Sequence, residues 1–330
     1  GSPARMKEVC KLITDGEQKV VVLSAMSGTT NSLVEIADYI KKGNPEAANN
    51  VVNKLRRLYS AHLVELFSTG KMLDETRKLV NGIFMHIHDL AMGAYTESVE
   101  KEILAQGELI STNMVTNYLK ECGIKVYLIP ALDFMRTDKN AEPDAHYIKE
   151  HLSEIMSANK GYQIYITQGF ICRNAYGEVD NLQRGGSDYT ASLIGAALMA
   201  DEIIIWTDID GMHNNDPRIV DKTEAVHQLH FEEAAELAYF GAKILHTTCV
   251  QPAKLTGIPV RSKNTMDPEA AGTVINNTLK RCAIKAVAAK DNIIAIKIKS
   301  SRMLLATGFL RKVFEIFENY NTPIDMVTTS

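Results

Sequence analysis

The sequence predicts an α/β protein, with a mainly parallel sheet between helical layers and a small α+β module after it. Three observations carry this. Five short runs are apolar nearly throughout rather than alternating, as strands covered on both faces are. Helical patterns fall between these runs. Near residue 281 the pattern changes to a half-exposed strand, a loop and one amphipathic helix.

Taken in order, the first run is Lys19–Met26 (KVVVLSAM) and the second Ile124–Ala131 (IKVYLIPA). A long helical insert lies between them. Its two amphipathic stretches, Pro45–Phe67 and Lys71–Gly93, are parted by Ser68–Gly70, and Pro45 suits a first helical turn. They are expected to form a hairpin at one edge of the sheet. The remaining runs are Tyr162–Gly169, Glu202–Ile209 and Ile258–Lys263. Farther on, Asn292–Ser300 alternates and predicts a half-exposed strand. A helix is expected from about Phe309 to Tyr320, with Leu310, Val313, Phe314 and Phe317 on one face, a stripe that reads as core. Pro323 closes it, and a strand is expected to begin around Ile324. The expected domains are 1–281 and 282–330.

Composition narrows the function classes. Length 330 suits two or three domains. Thirty-six Lys and Arg against 40 Asp and Glu give a net charge of -4, which offers no general pull toward nucleic acid or an anionic membrane. No apolar run reaches the ~18 residues of a spanning helix. Cys10, Cys122, Cys172, Cys249 and Cys282 are odd in number, widely spaced and without a CxxC, so neither a disulfide framework nor a zinc site is expected. With no signal segment at the start, the expected location is cytoplasmic.

The segment Arg184-Gly-Gly-Ser-Asp-Tyr-Thr190, opening a helix, is the strongest chemical signal. Gly185 and Gly186 let the backbone approach a ligand, and Ser187 can cap the helix. The helix-start N–H groups favour an anion, and Arg184 adds a bidentate cation. The result is a pocket for carboxylate or phosphate, or else a tight capped turn with a surface Arg. Ser24–Asn31 (SAMSGTTN) places small hydroxyl residues after a strand, where α/β proteins bind ligands; an ordinary strand-to-helix loop has the same composition. Thr207–Arg218 (TDIDGMHNNDPR) could hold a sugar or phosphate, although its composition alone favours a hydrophilic turn. Glu108, in Gly107-Glu-Leu-Ile-Ser111, can take an ammonium group or stay solvated. Lys243 can meet a phosphate or a helix dipole. His86 and His88 cannot share a helical face, so no metal site is expected. No P-loop, GxGxxG or GxSxG is present.

Together and in order these segments resemble the aspartate kinases of the amino acid kinase family. SAMSGTTN is similar to the family's loop after its second strand, and GELIS to its Gly-Glu-x-x-Ser helix. QGFICRNAYGEVDNLQRGGSDYTA resembles its longest signature, and TDIDGMHNNDPR its nucleotide segment. FEEAAELAYFGAKILH and IPVRSKNTMDPEAAGT resemble two further blocks. The resemblance implies a three-layer αβα sandwich over 1–281 and a partial ACT (ferredoxin-like) regulatory domain over 282–330. It implies ATP-dependent phosphorylation of the L-aspartate side chain, with Mg²⁺. Arg184 would pair with a substrate carboxylate and Glu108 with the ammonium, while Ser24 and Thr30 line the pocket. Gly185, Gly186, Ser187 and Asp188 would sit at the transfer site. Thr207, Asp208, His213, Asp216 and Arg218 would contact ATP, with Lys243 on its phosphates. Met303, Gly308, Phe309, Leu310, Asp325 and Thr329 would contact an amino-acid effector, expected to be lysine, at an ACT–ACT homodimer interface.

Three departures stand out. The family's opening Lys-Phe-Gly-Gly-Thr-Ser strand is unmatched, so the chain reads as most of a kinase domain plus about half a regulatory region. His213 stands where the family usually has Tyr, and His246-Thr-Thr replaces His-Pro-x. Alternatives from the residues are a kinase for another small acid, a non-catalytic amino-acid sensor, or a larger enzyme fused to homoserine dehydrogenase.

Overall fold

All five apolar runs form strands, and each pairs in parallel with another of the five. The computed structural model describes residues 2–182, 185–242, 247–280, 284–299, 307–324 and 326–328, without the side chains of Thr247 and Thr248. In the first sheet β1 (Lys19–Leu23) and β2 (Val126–Ile129) flank β3 (Ile164–Gln168), whose five residues are all buried. Side chains alternate across this sheet into two cores. Val21, Leu23, Ile164 and Ile166 join one, while Val20, Val22, Tyr165 and Ile129 join the other. Helices cover both faces, so this half is the αβα arrangement the apolar strands require.

The first core is helical. Helices α1 (Pro3–Ile13), α2 (Thr29–Lys41), α3 (Pro45–Leu66), α4 (Gly70–Ala91) and α5 (Glu97–Glu121) contribute to it. Local chemistry sets their ends. The Asn44 side chain accepts from Ala47 N at 3.1 Å and Thr96 accepts from Val99 N at 3.1 Å, caps worth about 1 kcal/mol each. Glu121 reaches back to accept from Thr69 N at 2.7 Å and so caps the start of α4. The expected hairpin of α3 and α4 forms, but not at the sheet edge. It packs chiefly on α2 and α5, because its apolar stripe (Val52, Leu55, Tyr59, Leu63 with Val80, Phe84, Ile87) meets helices already lying on the sheet. Helix α5 is buried nearly all round, polar Gln106, Glu108, Ser111, Thr112 and Thr116 included.

On the other face lie α6 (Ala145–Ala158) and α7 (Gly186–Leu198). A ribbon of β4 (Ile171–Arg173) and β5 (Val179–Asn181) carries the chain from the end of β3 toward α7. Its turn is fixed by Asn174 Oδ1, which accepts from Tyr176 N and Glu178 N.

The second sheet runs β6 (Ile203–Thr207), β10 (Val260–Asn264), β11 (Thr273–Asn276), β9 (Gln228–His230), with β11 antiparallel to β10. A small ribbon of β7 (Met212–His213) and β8 (Ala225–Val226) extends beyond β6. Helices α8 (Phe231–Tyr239) and α9 (Thr247–Thr256) cover the face of Ile203, Ile205, Val260 and Ile275. The opposite face leaves Ile204 38% exposed. The unbroken Ile203–Ile205 run therefore overstates cover here: both helices lie on one side.

The chain divides into units Gly1–Ala289 and Lys290–Ser330. The second unit contains α10 (Phe309–Asn319). Residues 292–299 form no strand, and none begins at Ile324 among the described residues; a strand needs a ladder partner, and none is present in the described part of this unit. The α10 stripe is not core either. Val313 and Phe317 are half-buried, and Leu310 and Phe314 are exposed, with no strand beneath them among the described residues of this unit. Among the described residues no helix is long and apolar enough to cross a membrane.

Candidate active site

The parallel strands β1 and β3 end side by side, and their backbones stay joined one residue farther: Gly169 N donates to Leu23 O at 2.9 Å. Beyond Leu23 the loop exposes Ser24 and Ser27 before α2 begins at Thr29. Gly28, with φ +82°, caps α2 without a side-chain bond, so the loop's hydroxyls are not consumed in capping. Thr30 is exposed while Thr29 is buried.

Helix α5 approaches this loop very closely. A Cβ on Gly107 would lie 2.8 Å from Ala25 Cβ and 3.4 Å from Thr29 Cγ2, so only glycine permits the contact. The approach delivers Glu108, which is 4% exposed. Its Oε1 accepts from Ala25 N at 3.1 Å, and Oε2 is buried without a hydrogen-bond partner. Ser111, one turn on, donates to Ser24 O at 2.8 Å. Burial pushes the Glu108 carboxyl up to about 7, against the weaker opposing pull of the Ala25 N–H. A buried carboxylate with an orphan oxygen is a receptor for a cation that arrives with a ligand.

The start of α7 comes to the same strand ends. A Cβ on Gly169 would fall 2.4 Å from Ser187 Oγ and 2.8 Å from its Cα. One on Gly186 would fall 2.4 Å from the Phe170 ring. The helix begins at Gly186 with Gly185 (φ +79°) as its cap, and no side chain caps it. Ser187 therefore lies inside the first turn and does not cap, contrary to the sequence expectation: the left-handed Gly185 starts the helix two residues earlier. The first-turn N–H groups remain open to an anion. Burial raises the Asp188 carboxyl above its ordinary range.

Sequence reasoning gave no role to Gly169 or Phe170, although both lie inside the quoted signature. Phe170 has φ +68°, rare for a bulky residue and costing on the order of 1–3 kcal/mol. Neighbours hold it there. Its N–H donates to Thr190 Oγ1 at 3.0 Å, its carbonyl accepts from Leu182 N at 2.7 Å, and its ring lies against Gly186. A glycine closing a buried strand was the available signal. Thr190, fully buried, also donates to Gly186 O at 2.8 Å. Thr190→Val is expected to destabilise the chain by about 1–3 kcal/mol in urea denaturation, with Thr190→Ser close to wild type.

A second group gathers past β6. Thr207 ends that strand, its carbonyl accepting from Thr265 N and Oγ1 at 2.8 and 3.0 Å. Asp208 follows, exposed. His213 Nδ1 lies 2.8 Å from Thr223 Oγ1, across the β7–β8 ribbon. Asp216 holds Arg218 in a fork, with Nε to Oδ1 at 2.9 Å and Nη2 to Oδ2 at 2.5 Å. That ion pair raises the Arg218 guanidinium further and fixes its plane. Thr273 pins the ribbon, accepting from Met212 N at 2.7 Å and donating to Val226 O at 2.6 Å.

The structure thus unites Ser24, the Ala25–Thr30 loop, Glu108 and residues 185–188 around the ends of β1 and β3. Thr207 and Asp208 lie at the end of β6, and α7 packs on both β1 and β6. Arg184, Lys243, Met303, Asp325 and Thr329 lie outside the described residues. In the second unit Gly308 (φ +82°) caps α10, Phe309 is half-buried and Leu310 is 45% exposed.

Comparison with known proteins gives one answer. The model of the amino acid kinase family matches residues 2–264. The chain is 34% identical over 325 residues to the lysine-sensitive aspartokinase 3 of Escherichia coli (strain K12), covering 97% of this chain and 71% of that one. It is 35% identical to the chloroplastic aspartokinase 1 of Arabidopsis thaliana, covering 100% of this chain and 60% of that protein. Among solved structures, E. coli aspartokinase III in complex with aspartate and ADP (R-state) superposes with a TM-score of 0.79 at 30% identity, over 100% of this chain and 74% of that one. The same enzyme with lysine and aspartate (T-state) gives 0.76 at 31% identity, over 98% and 73%.

Proposed function

The chain belongs to the amino acid kinase family, in its aspartokinase branch, and from that premise we propose that it transfers the γ-phosphoryl group of ATP to the side-chain carboxylate of L-aspartate. The observation that carries the proposal is Glu108, a buried carboxylate with one unpartnered oxygen held at Ala25 just past β1, while an uncapped helix start lies against Gly169 just past the neighbouring β3. An α-amino acid brings the ammonium the first needs and the carboxylate the second favours.

The chemistry asks for positioning and charge cancellation. A carboxylate oxygen of aspartate attacks the γ-phosphorus as the bond to the β-phosphate oxygen breaks, giving 4-phospho-L-aspartate and ADP. The acceptor is already ionised at pH 7, so no general base is needed. Glu108 takes the ammonium, Ser24 and Thr30 line the pocket, and Arg184 pairs with a substrate carboxylate. The open amides of Gly186, Ser187 and Asp188 face developing negative charge. Thr207, Asp208, His213, Asp216, Arg218 and Lys243 hold the nucleotide. Mg²⁺ fits as an ion carried on the phosphates, which takes only one or two carboxylates from a protein. Asp188, in the first turn of α7, and Asp208, just past β6, are oxygen donors of that kind. The ion neutralises phosphate charge when bound.

The reading extends to a first step in making lysine, threonine and methionine, in the cytoplasm. Lysine feedback through an ACT segment over 282–330 and pairing of two copies there are part of it. The lysine part is supported by the lysine-sensitive relative and the lysine-bound structure to which the chain is similar. Incubating the protein with ATP, Mg²⁺, aspartate and hydroxylamine should yield aspartyl hydroxamate; no hydroxamate would remove the enzyme claim, and a stronger signal from glutamate would reassign the acceptor. Arg184→Ala should raise the aspartate KM at least about tenfold and leave that for ATP nearly unchanged. Calorimetry with lysine, threonine and methionine tests the effector, and threonine binding alone would overturn the lysine assignment.

A further inference from the structure

We infer that the α3–α4 hairpin is a support arm for the substrate loop and that Tyr59 is its positioning residue. The inference rests on the reading of Ser24–Thr30 as the aspartate loop. The hairpin packs chiefly on helices, and none of its residues has a role in the chemistry above. Yet Tyr59, in the middle of α3 and 1% exposed, brings its hydroxyl 2.7 Å from Thr29 Oγ1. Thr29 is the first residue of α2, buried, and the neighbour of Thr30.

The Tyr59 ring is held in place. Phe84 of α4 packs against it at 5.6 Å between centroids, and His62 meets it edge-on at 5.9 Å. The hydroxyl consequently has a fixed location. Burial pushes it up to about 12, so it stays neutral throughout the working pH range. Thr29 is confined from the other side as well. Its methyl faces Gly107, the residue before Glu108, where a Cβ would come within 3.4 Å of it. Thr29 is thus wedged between the Tyr59 hydroxyl and the tightest approach of α5. Any shift of Thr29 moves Thr30 along the chain, and it also alters the contact that sets the Glu108–Ala25 hydrogen bond. Two buried hydroxyls that satisfy each other form a directional link, because separating them strands both. Apolar packing alone would tolerate small slides along α3; this bond does not.

The test is a kinetic cycle on the full chain with Tyr59→Phe, Thr29→Val and the double variant. Each single change should raise the aspartate KM about fivefold to tenfold, with the ATP KM moving less than about twofold. The double variant should be no worse than either single one, and Thr29→Ser should restore the wild-type value. An unchanged aspartate KM in Tyr59→Phe, even with a lower melting temperature, would make the bond merely structural and overturn the inference. Additive effects, or equal rises for both substrates, would overturn it too. Thr30→Val in the same series separates the two levels. If Thr30→Val raises the aspartate KM and Tyr59→Phe does not, the support arm fails and the loop assignment stands. If neither variant does, the loop assignment itself fails.

Discussion

Glu108→Gln should raise the aspartate KM by about a hundredfold while making the protein more stable at alkaline pH. The first effect follows from losing a charge-assisted bond to the ammonium at a carboxylate only 4% exposed. The second follows from linkage. Burial lifts the carboxyl from 4.5 to about 7. Between those values the folded state binds more protons than the unfolded one, so stability falls as pH rises through that window. The contribution is intact below about pH 4.5 and fully lost above about pH 7, a swing of about 3 kcal/mol. Glutamine does not titrate. The stability difference between variant and wild type, followed by denaturant melts from pH 4.5 to pH 8, should therefore shift in the variant's favour as pH rises; a pH-independent difference would refute the burial argument. The aspartate ammonium draws the proton off Glu108, so binding near pH 6.5 should release protons, visible as a buffer-dependent heat.

Gly169→Ala is the second large effect. The new methyl would fall 2.4 Å from Ser187 Oγ and 2.8 Å from its Cα, and a backbone atom cannot swing away as a side chain does. Either the end of β3 or the first turn of α7 must move. Overpacking of this kind costs about 1–3 kcal/mol, and a displacement near 1 Å at a transfer site costs about a hundredfold in rate. The expected result is a modest fall in melting temperature with a disproportionate fall in kcat. Gly82→Ala is the control. It lies in α4 with nothing within 4 Å of the added Cβ, and should gain about 0.5–1 kcal/mol with activity unchanged. Equal losses in the two variants would show that generic glycine effects, not the Ser187 contact, are being read.

The legible part of the fold was the part that repeats. Val20–Leu23, Ile164–Ile166 and Ile203–Ile205 announced their strands because burial demands apolar side chains at consecutive positions. Pro45 and the break at Ser68–Gly70 placed α3 and α4 within a few residues. What the hairpin packs on was not legible, because an amphipathic stripe states that a face is buried and not what buries it. The same limit hid the open face at Ile204. Glu108 was legible as a residue type in a helix, but its burial, its orphan oxygen and its raised carboxyl depend on Gly107 meeting Ala25, from a segment some 80 positions away. Ser187 read as a cap because capping residues are recognised by type, whereas the left-handed turn at Gly185 decides where the helix starts. Thr29 was legible only as one hydroxyl of the Ser24–Asn31 loop, and Tyr59 carried no signal at all: a tyrosine in an apolar stripe looks the same whether or not its hydroxyl finds a partner.

The pairing of β1 has a consequence for how the chain is made. Lys19 sits opposite Ile164, about 145 residues farther along, and β3 is the sole ladder partner of β1 among the described residues. At translation rates of roughly 5–20 residues per second, β1 waits about 7 to 30 s for its neighbour to be synthesised. Helices α2 to α5 can form in that interval from near-neighbour contacts, while Val20–Leu23 still lacks its β3 partner. Such a stretch invites pairing between nascent chains. Lys19 at its mouth, paired with Asp15, puts charge at the position where that association would begin.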